Sequence, residues 1–192
     1  MREPDSPRGE HRDQIESTGS RLTGVSNSAL ETVCDKWLTT QFFRKIGLTT
    51  PLTWLPDDDS VQGLRFPLFI KPRRGSASKD TYILNHVSEL EFFRNYVPNP
   101  IIQQFIDGPE LTTDLVCDLD GKVLTVVPRR RLAVRAGEIA KGVTVEHEEV
   151  SQACIKIAEG LGVIGPISVQ CIFKDDVPCF TEVNARFGGG FP

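Results

Sequence analysis

One segment near the end of the sequence decides the fold: PISVQCIFKDDVPCFTEVNARFGGG, residues 166–190. Residues 166–173 and 178–184 are rich in β-branched and aromatic side chains, and the short stretch between them is polar. This pattern predicts a hairpin of two antiparallel strands. The glycines Gly188–Gly190 follow at once. The second strand therefore leads directly into a glycine loop.

The second strand carries polar groups on one face. Because successive side chains of a strand point to opposite faces, alternate residues from 180 to 186 are predicted to share a face. These residues are Phe180, Glu182, Asn184 and Arg186. The planar guanidinium of Arg186 is suited to holding a phosphate group beside the carboxylate and the amide.

The partner strand adds an amide to this face in one of two registers. A five-residue loop over 174–178 places Gln170 opposite Glu182, whereas a two-residue loop places Gln170 opposite Thr181 and turns it away. We favour the first register because it gathers Gln170, Glu182 and Asn184 on one surface. Oxygen ligands of which one is anionic suit Mg²⁺. A solvent-exposed polar strand face is the alternative.

Two charged residues lie at the borders of other predicted strands. Lys71 ends the apolar strand 66–71 and precedes a glycine- and serine-rich loop, 72–80, so the cation and the loop N–H groups indicate a phosphate site. Glu110 follows Gly108-Pro109, where its carboxylate can accept hydrogen bonds from sugar hydroxyls. A basic surface turn and a charged strand-entry residue are the respective alternatives. The loop matches neither a P-loop nor GxGxxG.

Other charged and titratable residues are less informative. The run Arg129–Arg131 is expected to lie on a solvated strand face, with Arg130 opposite to its neighbours, and no role follows for it from the sequence. His11, His86 and His147 have no catalytic partner that the sequence identifies.

Composition excludes several classes of protein. The 192 residues are 39% apolar and 25% charged, ordinary values for one domain or two small lobes around a cleft. A net charge of −4 argues against a nucleic-acid partner. Five scattered cysteines without a CxxC pair predict reduced thiols and no structural zinc. Without a secretion signal or an apolar run of roughly 20 residues, we expect a cytoplasmic protein with no membrane partner.

The remaining sequence alternates helical and extended patterns, which predicts an α+β fold. Residues 1–21 are strongly polar and are expected to form a disordered leader. A helix is predicted from Ser26 to Gly47, and a second, capped by Ser88, extends to Tyr96. The other predicted elements are strands at 81–85 and 100–106, a hairpin of 110–118 with 122–135 around Asp120-Gly121, and an amphipathic helix at 147–161.

Taken in order, these segments resemble the ATP-grasp superfamily, in particular its carbamoyl-phosphate-synthase-like ligases. The resemblance covers residues 22–192 and depends on the order and spacing of its motifs. The motifs are DKWLTTQFFRKIGLTTPLTW (35–54), FPLFIKPRRGSASKD (66–80), IIQQFIDGPELTTDLVCDLDG (101–121), GPISVQCIF (165–173) and FTEVNARFGGG (180–190). The resemblance implies two α+β lobes that hold ATP between them. A linker helix and first lobe would occupy 22–102, and a partial second lobe 103–192.

The resemblance also implies a role for each matching residue. Lys36 and Lys71 would contact the ATP phosphates, and the loop at Gly75 and Ser76 would close over them. Glu110 would hold the ribose. The hinge against adenine would comprise Gln103, Gln104, Phe105 and Ile106.

The implied chemistry is ATP-dependent activation of a carboxylate. Gln170, Glu182 and Asn184 would bind Mg²⁺, with Mn²⁺ as a substitute, and Arg186 would steady the transferring phosphoryl group. ATP would phosphorylate a small-molecule carboxylate to an acyl phosphate, from which an amine or a thiol would displace phosphate. Positioning and charge neutralisation supply most of the catalysis in such phosphoryl transfers. The sequence does not identify the substrates or the oligomeric state.

Two features set this sequence apart from the family pattern. Family members usually carry a preceding domain and continue beyond the glycine loop, so the chain is expected to be incomplete at both ends. An ATP-grasp ligase that forms a carbon–nitrogen bond is the favoured hypothesis. A non-catalytic remnant that binds nucleotide and metal is the alternative, and a structural α+β interaction module is the third.

Overall fold

The computed structural model describes residues 11–76, 78–135 and 138–186. The helices are α1 (Arg12–Glu16), α2 (Asn27–Cys34), α3 (Lys36–Lys45), α4 (Val87–Tyr96) and α5 (Glu148–Leu161), with a 3-10 helix at Asp59–Gly63. The strands are β1 (Thr53–Trp54), β2 (Leu68–Pro72), β3 (Tyr82–Leu84), β4 (Pro100–Gln104), β5 (Glu110–Cys117), β6 (Val123–Arg135), β7 (Glu138–Thr144), β8 (Gly165–Lys174) and β9 (Val177–Asn184). The predicted α+β fold is confirmed, while β1 and β7 were not predicted.

The strands form two antiparallel sheets. The smaller sheet has the order β1-β4-β2-β3, and the larger has the order β7-β6-β5-β8-β9. The β5–β6 hairpin was predicted from Asp120-Gly121, and the β8–β9 hairpin from the alternation described above. Strand β4 is followed by the short segment 105–109, which connects the smaller sheet to the larger one.

Each sheet has its own hydrophobic core. Leu68, Ile70 and Leu84 of the smaller sheet pack against Leu90 of α4. On the larger sheet, one face is covered by α2, α3 and α5, whose buried side chains join those of β5, β8 and β9. The rings of Phe43 in α3 and Phe180 in β9 lie 5.9 Å apart, so α3 packs on the larger sheet. The other face of that sheet carries its polar side chains.

The helix predicted from Ser26 to Gly47 is interrupted at Asp35. Ser26 caps α2 as predicted, but Asp35 adopts an extended conformation with φ −115° and ψ 110°. Its carboxylate accepts hydrogen bonds from the N–H groups of Trp37 and Leu38, so it starts a new helix, α3. The apolar periodicity continues through this break, which is why the sequence pattern indicated one helix.

Two predictions about the ends of elements are corrected. Residues 11–21 were expected to be disordered, yet α1 forms there, and Arg12 donates hydrogen bonds to the carbonyls of Leu22 and Val25. Residues 1–10 lie outside the described part. Helix α4 begins two residues earlier than predicted, after His86, and Ser88 does not cap it.

The β8–β9 hairpin differs from both registers considered in the sequence. The turn has two residues, because Lys174 pairs with Val177, yet Gln170 still pairs with Glu182. A β-bulge between Gln170 and Cys171 accounts for the difference: Cys171 pairs with Phe180, so Thr181 is the extra residue. The predicted pairing of Gln170 with Glu182 is confirmed, and the predicted five-residue loop is wrong.

The bulge also separates Phe180 from the polar face of β9. Phe180 is 2% exposed and lies in the core beside Val183 and Ala185. Glu182 and Asn184 therefore occupy the opposite face without Phe180, contrary to the prediction from strict alternation. The glycines after Arg186 lie outside the described residues.

No helix within the described ranges has the length and apolar character needed to cross a membrane. The lobe boundary at residue 102/103 stays a prediction, and it falls inside strand β4.

Candidate functional site

A cleft of about 380 Å³ lies between the two sheets. Strands β2 and β4 line it from the smaller sheet, and β5, β6, β8 and β9 line it from the larger one. Every residue that the sequence assigned to ATP, metal or the phosphoryl group lines this cleft. These residues are Lys36, Lys71, Gly75, Ser76, Gln103, Gln104, Phe105, Ile106, Glu110, Gln170, Glu182, Asn184 and Arg186. Residues up to 150 positions apart in sequence are thus brought to one site.

The proposed metal ligands lie on the two strands that form the end of the larger sheet. Gln170 pairs with Glu182, and Ser168 pairs with Asn184, so the amides and the carboxylate occupy adjacent positions. Within the described residues, none of these three cleft side chains makes a hydrogen bond, and Glu182 forms no ion pair. Carboxylate and amide oxygens are suitable ligands for a hard cation, which fits Mg²⁺ or Mn²⁺. No cluster of three or more His, Cys, Asp or Glu side chains occurs in the same ranges.

Lys71 is the most strongly perturbed cation of the cleft. Its side chain comes from the end of β2 and is only 8% exposed, and its Nζ lies 5.7 Å from the centre of the Phe69 ring. The pKa of Lys71 is lowered to about 8, mainly by burial and also by nearby Lys36, while the negative charges of Glu182 and Glu110 oppose the shift. A buried ammonium group with incomplete compensation favours binding of an anion.

The glycine-rich loop after β2 is held by the second cation. Lys36 is the first residue of α3, and its Nζ donates a 2.6 Å hydrogen bond to the carbonyl of Gly75. The backbone N–H of Lys36 donates to the carbonyl of Arg73 at 2.9 Å. The loop and the start of α3 are therefore fixed to each other at one side of the cleft. Gly75 has a φ of +135°, a conformation that favours glycine.

The segment that connects the sheets is tightly packed. Gln103 is 3% exposed and donates from Nε2 to the hydroxyl of Thr53 at 2.8 Å, so its side chain is already bonded within the smaller sheet. Gly108 was not singled out by the sequence, yet a Cβ atom there would lie 1.9 Å from the carbonyl oxygen of Phe173. The N–H of Phe173 also donates to the carbonyl of Pro109 at 2.9 Å. The connecting segment 105–109 is therefore in close contact with β8.

Arg131 is a cleft residue that the sequence analysis missed. It was expected on a solvated face, but its Nη1 donates a 2.7 Å hydrogen bond to Oε2 of Glu110, and its side chain is 10% exposed. A count back from a two-residue turn at Asp120-Gly121 places residue 131 opposite residue 110, although the observed turn is longer, because Cys117 pairs with Val123 and a bulge between Val116 and Cys117 restores that register. The observed pairing of Leu111 with Arg130 has this register.

Arg129 is also buried rather than solvated. It is 8% exposed, forms an ion pair with Asp114, and donates from Nε to Oδ2 of Asp114 at 2.6 Å. Burial raises the pKa of Asp114, although Arg129 opposes that shift. Arg130 lies on the opposite face of the strand, as alternation predicted, and it is exposed. The three arginines therefore have three different environments.

The cleft contains further residues that the motifs did not identify. Lys79 and Thr81 line it from the glycine-rich loop and its end, and Cys171 lines it from β8. Burial raises the pKa of the Cys171 thiol to about 12. At physiological pH this thiol is therefore mainly protonated, which lowers its reactivity as a nucleophile.

The two antiparallel sheets enclose a cleft that has lysines on one side and amide and carboxylate groups on the other, and they define an α+β protein with a charged cleft between its sheets. A sequence profile described as an ATP-grasp domain matches residues 33–190. The chain belongs to the ATP-grasp family.

Known proteins similar to this chain include ligases and a carboxylase. The D-alanine–D-alanine ligase of Fusobacterium nucleatum is 26% identical over 185 residues, which cover 91% of this chain and 63% of that protein. The solved structure of D-alanine–D-alanine ligase from Bacillus anthracis complexed with ATP aligns with a TM-score of 0.71 at 23% identity, over 96% of this chain and 66% of that one. Biotin carboxylase from Campylobacter jejuni aligns with a TM-score of 0.80 at 13% identity, over 98% of this chain and 48% of that one.

The two solved structures, at 23% and 13% identity, show that this chain shares their fold. The chain spans 63% of the length of the Fusobacterium ligase that it matches.

Proposed function

We propose that the chain binds Mg·ATP in the cleft between its two sheets and serves in the ATP-dependent ligation of a small-molecule carboxylate to an amine or a thiol. The observation that carries this proposal is the convergence of all the motif residues on one cleft of about 380 Å³. Membership of the ATP-grasp family and the names of the similar D-alanine–D-alanine ligases support a reaction that forms a carbon–nitrogen bond. Assignment to the carbamoyl-phosphate-synthase-like branch stays a prediction.

The nucleotide is proposed to lie along the cleft from the sheet connection to the lysines. Gln104, Phe105 and Ile106 would contact adenine, with Gln103 contributing mainly through its backbone because its side chain is bonded to Thr53. Glu110 would accept hydrogen bonds from the ribose. Lys36 and Lys71 would neutralise the phosphates, and the N–H groups at Gly75 and Ser76 would bind them.

The metal ion would be held by Gln170, Glu182 and Asn184. When bound, Mg²⁺ or Mn²⁺ would neutralise charge on the phosphate oxygens. Arg186 lines the same end of the cleft, where its guanidinium would stabilise the charge of the phosphoryl group during transfer.

The proposed reaction has two steps. A carboxylate oxygen of the substrate attacks the terminal phosphorus of ATP, the bond to the bridging oxygen breaks, and ADP leaves with an acyl phosphate remaining. An amine or thiol then attacks the acyl carbon, loses a proton, and displaces phosphate. The residues that line the cleft would contribute positions and charges to both steps.

We also propose that the protein is located in the cytoplasm. Cys117, Cys154, Cys171 and Cys179 form no disulfide within the described residues, which supports a reducing compartment and hence the cytoplasm. The net charge of −4 supports small-molecule partners over nucleic acid.

The test is a thermal-melt titration with Mg·ATP, followed by measurement of ADP release against a panel of carboxylates and amines. We expect stabilisation by Mg·ATP and a much weaker effect of ATP with EDTA. Glu182→Gln should remove the metal-dependent part, whereas the exposed Glu91→Gln on α4 should not. Absence of any ATP-dependent stabilisation would refute the proposal. Stabilisation without ADP release from any substrate pair would favour a non-catalytic nucleotide-binding protein.

A further inference from the structure

An ion pair joins the buried carboxylate of Asp35, at the start of α3, to Arg73, at the start of the glycine-rich loop. Arg73 donates from Nε to Oδ1 of Asp35 at 3.2 Å and from Nη2 to Oδ2 at 2.7 Å. The Asp35 side chain is 4% exposed, and that of Arg73 is 25% exposed. A bidentate guanidinium–carboxylate pair fixes orientation as well as distance.

The two partners belong to different halves of the molecule. Asp35 separates α2 from α3, which pack through Val33 and Phe43 into the core of the larger sheet. Arg73 directly follows β2 of the smaller sheet, and its N–H donates to the carbonyl of Asn99 at 3.0 Å. The ion pair therefore bridges the two sheets at the side of the cleft where the loop begins.

Residues close in sequence to Asp35 and Arg73 line the cleft. Lys36 follows Asp35, and Gly75 lies two residues after Arg73. Lys36 makes two hydrogen bonds to the start of the loop. Its backbone N–H donates to the Arg73 carbonyl at 2.9 Å, and its Nζ donates to the Gly75 carbonyl at 2.6 Å. A shift of Arg73 would thus move Lys36 and the loop relative to Lys71.

One oxygen of the Asp35 carboxylate keeps its hydrogen bonds without Arg73. Its Oδ1 accepts hydrogen bonds from Trp37 at 2.9 Å and Leu38 at 3.3 Å, at the N-terminus of α3, where a negative charge is stabilised. Loss of Arg73 leaves Oδ1 capped but removes the 2.7 Å hydrogen bond to Oδ2 of a buried carboxylate, which costs stability. The melting temperature of each variant is therefore measured beside its affinity for ATP.

We propose that Asp35 and Arg73 are positioning residues that hold Lys36 and the Gly75–Ser76 loop in place for the ATP phosphates. Neither side chain lines the cleft, so both act through Lys36 and the loop. This inference rests on the proposed function of the cleft.

The test compares Arg73→Gln with Arg74→Gln, a neighbouring control with the same change of charge. Arg74 is half exposed, and its Nε is 3.9 Å from Asp35. Arg73→Gln should raise the Kd of Mg·ATP by about tenfold or more, while Arg74→Gln should change it by less than about threefold. The Kd of adenosine, which lacks phosphates, should stay unchanged in both variants.

Two further variants separate positioning from folding. Asp35→Asn keeps a capping side chain but removes the charge, so it should weaken Mg·ATP binding with little change in melting temperature. Arg73→Lys keeps the charge without the bidentate geometry, so it should restore binding only in part. An equal loss in Arg73→Gln and Arg74→Gln, or a parallel loss of adenosine binding, would overturn the proposal.

Amide hydrogen exchange without nucleotide gives an independent readout. Exchange in residues 73–76 should be faster in Arg73→Gln than in Arg74→Gln and the unmodified protein. Unchanged exchange would refute the positioning role, even if ATP binds. If the unmodified protein does not bind ATP, the proposed function is refuted. Faster exchange in Arg73→Gln would in that case still support the role of Arg73 in holding the loop.

Discussion

Gln170 pairs directly with Glu182 although the turn that joins their strands contains only two residues. Without the bulge at Thr181, the same turn would place Gln170 opposite Thr181 and send Glu182 to the core side of the sheet. The hydroxyl of Thr181 donates to the carbonyl of Gln170 at 3.2 Å, which supports the bulged geometry. One extra residue in β9 thus determines whether the two side chains meet in the cleft.

Deletion of Thr181 should preserve this pairing. Removing the extra residue leaves Phe180 in the core and Glu182 opposite Gln170, now in a regular ladder. Deletion of Val183 should instead direct Asn184 toward the core and abolish the metal-dependent binding of ATP. The measurements are the melting temperature and the Mg²⁺ dependence of ATP binding. Loss of metal dependence in the Thr181 deletion and its retention in the Val183 deletion would contradict this account of the register.

The affinity for ATP should depend on pH through Lys71. The pKa of Lys71 in the free protein is about 8 because burial disfavours its charge. Bound phosphates raise that pKa, so below pH 8 the full attraction is present. Above pH 8, binding must take up a proton, and the Kd should rise by up to about tenfold per pH unit until the pKa of the complex is reached.

Calorimetry in buffers of different ionisation enthalpy should detect this proton uptake near pH 8.5. Lys71→Met should bind more weakly and should lack the Lys71-linked proton uptake, which separates its contribution from the titration of ATP itself. Equal proton uptake in the two proteins would exclude Lys71 as the titrating group.

Glu110 and Arg131 should act as one unit in binding the ribose. Arg131 holds the Glu110 carboxylate through a 2.7 Å hydrogen bond, so loss of either partner should disturb the other. In a double-mutant cycle of Glu110→Gln and Arg131→Met, the effects on the Kd of ATP should be non-additive by about 1 kcal/mol. The cycle Asp57→Asn with Arg94→Met, on an exposed 3.5 Å ion pair, is the control and should show no coupling. Additive effects at Glu110 and Arg131 would show that the bond has no role in binding.

Gly108→Ala should displace the connection between the sheets. The added Cβ would lie 1.9 Å from the backbone oxygen of Phe173, which can move only together with β8. We expect a loss of about 1–3 kcal/mol in the free energy of unfolding, measured with urea, and weaker ATP binding. Gly63→Ala is the matched control, since no atom lies within 4 Å of the position that its added Cβ would occupy and its φ is not positive. Equal stability of the two variants would contradict this packing.

Local chemistry explains which elements the sequence predicted well. Asp120-Gly121 predicted the turn between β5 and β6, and α5 ends at Gly162, which forms a left-handed cap with φ 61°. The apolar strand before Lys71 predicted β2 to within two residues at its start. These features depend on neighbours in the sequence, so a single sequence contains them.

Other features depend on contacts between distant segments. Helix α3 separates from α2 because Asp35 both caps it and binds Arg73, which lies 38 residues later. Arg129 and Arg131 were expected in solvent because their carboxylate partners come from another strand. A periodicity or a charge run does not show such partners.

The sequence by itself determined the order of the elements, the polar groups at their ends and the pairing of Gln170 with Glu182 as the register that gathers an oxygen site. Tertiary structure alone decided how that pairing arises, since a bulge at Thr181 absorbs one residue in order to keep Phe180 in the core and Glu182 in the cleft. It also decided that Asp35 and Arg73 join the two sheets beside Lys36. The physical reason is that burial of apolar side chains on one face of each sheet sets the register, and the polar groups of the opposite face are positioned as a consequence.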